Sequence, residues 1–226
     1  MNRKLVAALL LGAGWSLAAS AAPIIWPDWL STGARTVTGE LVIGDTTVGV
    51  TYTGNYRFAQ PAGGANYWTE GTPAPYTGSA QVDNAPATSD IIALNAGGTK
   101  TITFSQPVRD PLVALVSWNG NTVSFSTPIQ ILSYGPGYWG SGSPTDITEF
   151  GFSGLGELHG VIRLPGTHSS FSFTDATENW HGITIGVAGL ADKGGLPTST
   201  VPEPGSLALL GLAGVGLAAL RRRKSA

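Results

Sequence analysis

Side chains able to do chemistry are few in this 226-residue chain, and their types narrow the choice quickly. There is no cysteine, so disulfides, thiolate metal sites and thiol nucleophiles are excluded. The three histidines, His159, His168 and His181, form neither H-E-x-x-H nor any pair at helical ligand spacing, which leaves a zinc hydrolase unsupported. The members of a Ser-His-Asp triad are distant in sequence, so only a nucleophile elbow would betray one. The nearest stretch, "GSGSP" from Gly140 to Pro144, lacks the second glycine of G-x-S-x-G. Isolated histidines on strands or turns are read as structural.

Two groups of side chains remain. Asp146, Glu149 and Glu157 lie in a Gly-rich stretch, and Asp175 and Glu178 in the later turn "TDATEN". If these stretches meet, Asp146, Glu149, Glu157 and Asp175 with backbone carbonyls would cage Ca²⁺, which takes about six to eight oxygens. No D-x-D-x-D-G loop is present, and solvated loop charges are the simpler reading. No other cofactor is suggested. A glycosidase needs two carboxylates flanking the cleaved bond, a separation that sequence does not reveal. The second group is aromatic. Tyr138-Trp139 sits between glycines, where a large ring has little reason to be buried, and exposed rings stack on the apolar faces of sugars. A loop folded back on its own rings is the equal alternative. Trp118 and Trp180, at strand ends, are read as core.

The elements that must position these residues are strands. "RTVTGELVIGDTTVGVTYTG" (35–54) alternates β-branched with small or polar residues around Gly44-Asp45, as in a hairpin. "SDIIALNAGGTKTITF" (89–104) repeats that design around Asn95 to Gly98. "PLVALVSW", "NTVSFST", "IQILSYG" and a last pair, "HSSFSFTDA" and "WHGITIGVAGL", follow between Pro and Asn-Gly signals. Nothing between Pro23 and Gly195 keeps a 3.6-residue apolar period. The expectation is all-β: an antiparallel β-sandwich of jelly-roll type, with two long surface excursions at 60–87 and 135–160.

Composition agrees with an exported β protein. Charged residues are 12% of the chain, about half the globular average of roughly 25%. Between Ala22 and Thr200 there are six basic against thirteen acidic side chains, a net charge of −7. Scattered positive charge on an acidic body argues against nucleic acid as a partner.

The ends carry the remaining basic residues. "MNRKLVAALLLGAGWSLAASAAP" has a basic start, an apolar run and small residues before a cut, predicting a signal peptide over 1–21 with cleavage after Ala21. Near the other end, Val201-Pro202-Glu203-Pro204 precedes an uncharged run, 205–220, and then Arg221, Arg222, Arg223 and Lys224. As a helix that run is about 24 Å long, short of a hydrocarbon core of roughly 30 Å. Its Leu and Val supply only about −2 to −4 kcal/mol of insertion free energy. A transmembrane helix of this kind holds the chain in the inner membrane transiently. The four cations stay cytoplasmic as a membrane stop. The two prolines keep the motif extended, the form a protease-like cleft accepts.

Motif, apolar helix and basic stop, in this order at this end, resemble the PEP-CTERM sorting signal of Gram-negative bacteria. The resemblance implies handling by an exosortase, a membrane-embedded cysteine transpeptidase-like enzyme, and delivery to the cell surface or an extracellular matrix rich in exopolysaccharide. "ITFSQPVRDPLVALVSW" and "ENWHGITIGV" are similar to surface β domains found ahead of such tails. The expected organisation is a signal peptide over 1–21, a β-sandwich ectodomain over 22–195 and a linker over 196–200. The sorting signal follows over 201–226. The expected role is structural or adhesive and not enzymatic, through polysaccharide binding at Tyr138 and Trp139; the alternative is a secreted glycan-active hydrolase.

Overall fold

A computed structural model describes residues 23–191. The signal segment, the sorting motif, the apolar run and the basic stop lie outside the described residues, and no helix among the described residues is long and apolar enough to cross a membrane.

The first hairpin forms as the alternation requires. β2 (Thr36–Ile43) and β3 (Thr46–Thr53) pair antiparallel in full register. Val37, Leu41, Val48, Val50 and Tyr52 point into the core, while Thr38, Glu40 and Val42 face solvent. Gly44 takes φ +60 at the first central turn position, where a residue with a Cβ would be strained. Before the hairpin, β1 (Asp28–Thr32) adds to β2.

The second stretch does not form a hairpin. β5 (Ile91–Leu94) and β6 (Gly98–Arg109) belong to different sheets, so Asn95 to Gly97 turns a corner between layers. The same holds for the last pair, β13 (Thr167–Asp175) and β14 (His181–Gly186). The remaining strands are β4 (Phe58–Gln60), β7 (Leu112–Trp118), β8 (Thr122–Phe125), β9 (Gln130–Gly135), β10 (Gly142–Thr145), β11 (Gly151–Gly156), β12 (Leu158–Arg163) and β15 (Gly189–Leu190). One sheet runs β1-β2-β3-β6-β13-β8-β11-β10 with β15 beside β6; the other runs β4-β5-β14-β7-β12-β9. Every pairing between these strands is antiparallel. Apart from β1–β2, β2–β3, β4–β5 and β10–β11, each connection passes from one sheet to the other. The expected excursion at 135–160 is thus largely strand: β10, β11 and the start of β12 fall inside it. Its glycines admit close backbone approach; a Cβ on Gly154 would lie 2.0 Å from the Trp118 carbonyl oxygen.

The core explains the continuous apolar runs. Ile92, Leu94, Val113, Leu115, Ile183 and Ile185 of the six-stranded sheet meet Val37, Leu41, Val50, Ile102 and Phe173 of the other sheet. The alternate residues Ile91, Leu112, Ala114, Val116 and Val161 point to the opposite face and are buried as well. What covers them is the expected surface excursion after β4, through Trp68, Tyr76 and Val82. Trp68 Nε1 donates to the Ser89 carbonyl (3.1 Å) and the Tyr76 hydroxyl to that of Leu115 (3.1 Å). Glu70 accepts from the Tyr76 and Thr77 amides, both at 2.7 Å. A segment without strands can be buried because these bonds satisfy its polar groups. It is a cover, not a free arm.

Candidate functional site

Antiparallel pairing brings the ends of β7 and β9 and the starts of β12 and β14 together at one end of the six-stranded sheet's strands. Beyond β9, Gly137 and Gly140 exchange backbone hydrogen bonds (2.7 and 3.3 Å) and close a two-residue turn with Tyr138 and Trp139 at its tip. A Cβ on Gly137 would lie 2.5 Å from the His159 ring, so only glycine lets this turn rest on that imidazole. Tyr138 is 41% and Trp139 55% exposed. Around them stands a surface cluster of four rings: Tyr67–Tyr138 at 5.0 Å, Tyr67–Trp180 at 5.0 Å, Tyr138–Trp139 at 4.8 Å and Trp139–Trp180 at 6.2 Å. Trp180, expected in the core, is half-buried here because β14 begins one residue later; Trp118 is fully buried.

Trp139 and Trp180 wall a cleft of about 400 Å³ whose other lining residues are Ser117, Asn119, Glu157, Glu178 and Asn179. Ser117 enters through a β-bulge: Leu158 faces Trp118 while Gly160 faces Leu115, leaving one extra residue on β7. Its φ of +56 is unusual for a residue that is neither glycine, Asn nor Asp, and costs about 1 kcal/mol or more. Its hydroxyl donates to Glu157 Oε2. Asn119 joins the two carboxylates, its Nδ2 donating to Glu157 Oε1 (2.9 Å) and its amide to Glu178 Oε1 (2.9 Å). Asn121 Nδ2 donates to Glu178 Oε2 (3.2 Å).

Behind Glu178 runs a buried charge relay. Its Oε2 lies 3.2 Å from His181 Nδ1, His181 Nε2 lies 2.9 Å from Asp175 Oδ2, and the other Asp175 oxygen pairs with Lys100. The His181, Asp175 and Lys100 side chains are wholly shielded from solvent. Burial works against the charged imidazole, but the hydrogen bonds to Asp175 and Glu178 outweigh it and raise the His181 pKa above 6.5. Burial lowers that of Lys100, against the pull of Asp175. His159, under the aromatic turn, is pushed down to about 4 by burial despite nearby Glu157. The Tyr76 hydroxyl lies 3.3 Å from its Nδ1, and its Nε2 has no hydrogen-bond partner among the described residues.

Of the residues singled out in the sequence, Trp139, Trp180, Glu157 and Glu178 line the cleft, with Tyr138 against Trp139. Asp146 and Glu149 sit in the turn between β10 and β11, away from the cleft lining, and Asp175 is committed to Lys100 and His181. Among the described residues no group of three or more His, Asp or Glu is arranged to hold a metal ion. Ser117, Asn119 and Asn179 were not distinguishable in sequence, since a bulge residue and two loop amides carry no pattern of their own.

This geometry belongs to an all-β, antiparallel body. A family model described as the PEP-CTERM protein-sorting motif matches residues 200–224, which spans Val201 to Pro204, the apolar run and the Arg221–Lys224 cluster. The chain carries this motif and is therefore an exported protein, handled by an exosortase and destined for the surface or the extracellular space. No curated protein and no solved structure matches the chain.

Proposed function

We propose that the body is a glycan-binding module of the cell surface or extracellular matrix, structural or adhesive in role rather than enzymatic, and delivered by its C-terminal tail. The observation that carries this reading is the cleft between Trp139 and Trp180. Two partly exposed indoles offer apolar faces to a sugar ring, and Ser117, Asn119, Asn179 and the two carboxylates offer hydrogen bonds to its hydroxyls. The repeated passage of the chain between sheets supports a β-sandwich of jelly-roll type. The organisation that goes with it is a signal peptide removed after Ala21, a body over 22–195, a spacer over 196–200 and a sorting tail. The apolar run 205–220 of that tail is held in the inner membrane until processing.

Retention on exopolysaccharide from the producing bacterium tests the binding reading. Trp139→Ala, at the exposed turn, is expected to lose retention about tenfold or more while melting close to the parent. Equal retention of parent and variant contradicts the proposal. A second reading, a glycan hydrolase, is favoured by one observation: Glu157 and Glu178 line the same cleft. Against it, all four carboxylate oxygens already accept hydrogen bonds from the protein or face His181, which suits fixed acceptors better than groups that exchange protons. Release of reducing ends that Glu157→Gln abolishes would establish the hydrolase instead.

A further inference from the structure

The charge of the cleft narrows the ligand, on the premise that the cleft binds glycans. Its lining carries two carboxylates and neither Lys nor Arg. Arg57 comes near, donating to the Asn179 carbonyl at 3.2 Å, but is not among the lining residues, and Lys100 is buried against Asp175. The two carboxylates are not equivalent. Glu178 shares its charge with His181, whereas Glu157 is held only by the neutral donors of Ser117 and Asn119. Glu157 therefore presents an uncompensated negative charge in a cleft walled by two indoles. A carboxylate beside aromatic faces is the arrangement that binds an ammonium group, through the ion pair and through attraction of the cation to the ring faces. The same charge repels uronate and sulfated sugars.

We propose that this cleft selects sugars bearing a free amine, such as the 2-amino-2-deoxy residues of a partly deacetylated polysaccharide, with the ring on Trp139 or Trp180 and the ammonium on Glu157. Glu157 is the specificity-determining residue. Neutral N-acetylated sugars keep the stacking and lose the ion pair; anionic sugars are excluded.

The test is a titration of the full chain with a β-1,4-linked glucosamine trisaccharide, its fully N-acetylated counterpart and a galacturonate trisaccharide, followed by tryptophan fluorescence at low and high salt. Because the body is acidic, a short oligomer is used so that diffuse attraction of a polycation does not mimic a site. The expected order is glucosamine over N-acetylglucosamine by about fivefold to tenfold at low salt, narrowing at high salt, with galacturonate not binding. Glu157→Gln is expected to remove the preference for the amine and leave the N-acetylated affinity in place. Asp146→Asn, which removes one charge outside the cleft, is expected to change nothing. Should Glu157→Gln fail to fold, Trp139→Ala must lower the affinity for both neutral and amino trisaccharides. Equal binding of amino and N-acetylated forms, or a preference for amine that survives Glu157→Gln or falls with Asp146→Asn, overturns the inference and leaves glycan binding standing. No binding of any trisaccharide, together with no retention on the native polysaccharide, overturns both.

Discussion

Tryptophans in this protein occupy two different environments, and burial separates them. Trp118 is fully shielded, packs its ring 4.7 Å from that of His181, and donates its Nε1 proton to the Gly182 carbonyl (3.1 Å). Trp118→Ala is expected to cost about 3–5 kcal/mol in chemical denaturation, since it empties a ring-sized space in the core. Trp139→Ala, at an exposed turn, is expected to change stability by no more than about 0.5 kcal/mol while lowering ligand retention about tenfold or more. His181 makes a second residue-level prediction. Its pKa in the fold is raised, so the fold holds a proton that the unfolded chain has released above about 6.5. The associated stability is complete below that pH and is lost as pH rises through the raised value. Melting temperature should therefore fall on the alkaline side of about pH 6.5. His181→Gln should melt lower than the parent and show a flatter pH dependence there. His159 has the opposite sign. Held near 4, it makes stability decline as pH drops from about 6.5 towards 4, because only the unfolded chain takes up that proton readily.

At the scale of elements, the decisive feature is that the six-stranded sheet is covered on both faces, one by its partner sheet and the other by the strandless segment after β4. Tyr76→Phe removes the bond to the Leu115 carbonyl and is expected to cost about 1 kcal/mol. Trp68→Ala removes a ring from the cover and is expected to cost about 3 kcal/mol or more and to raise binding of a hydrophobic dye; unchanged dye binding would contradict the covering role. Strands were legible wherever one face is wet. The alternation of 35–54 located β2, β3 and the Gly44 turn because each second residue reports its face. Pairing beyond that hairpin was not legible. Asn95 to Gly97 has the composition of a hairpin turn, yet a corner between sheets uses the same small residues, and only the far partner of β5 decides between them. Glycines misled at 135–160, where they permit close strand packing rather than a loop. Pro and Gly likewise disguised the cover, whose buried residues are single aromatics spaced too widely to set a period. Of the site, the exposed pair at the β9–β10 turn was visible as rings between glycines, while Trp180, Ser117 and the joining role of Asn119 depend on contacts across the fold.

The whole molecule joins this body to a sorting tail that the motif at 200–224 identifies. Export and exosortase handling should leave a defined product. Material recovered outside the producing cells is expected to begin at Ala22 and to lack Arg221 to Ala226, which N-terminal sequencing and intact mass will read directly. Retention of the cationic end in exported material would contradict processing. The binding reading makes its sharpest claim about two indoles among seven tryptophans. Their ring N–H resonances can be followed while fragments of the native polysaccharide are added. The prediction is that those of Trp139 and Trp180 move in proportion to occupancy, while those of Trp29 and Trp118, bonded inside the core to Thr184 Oγ1 and the Gly182 carbonyl, stay in place. If neither Trp139 nor Trp180 responds to fragments that the protein retains, the cleft is not the site.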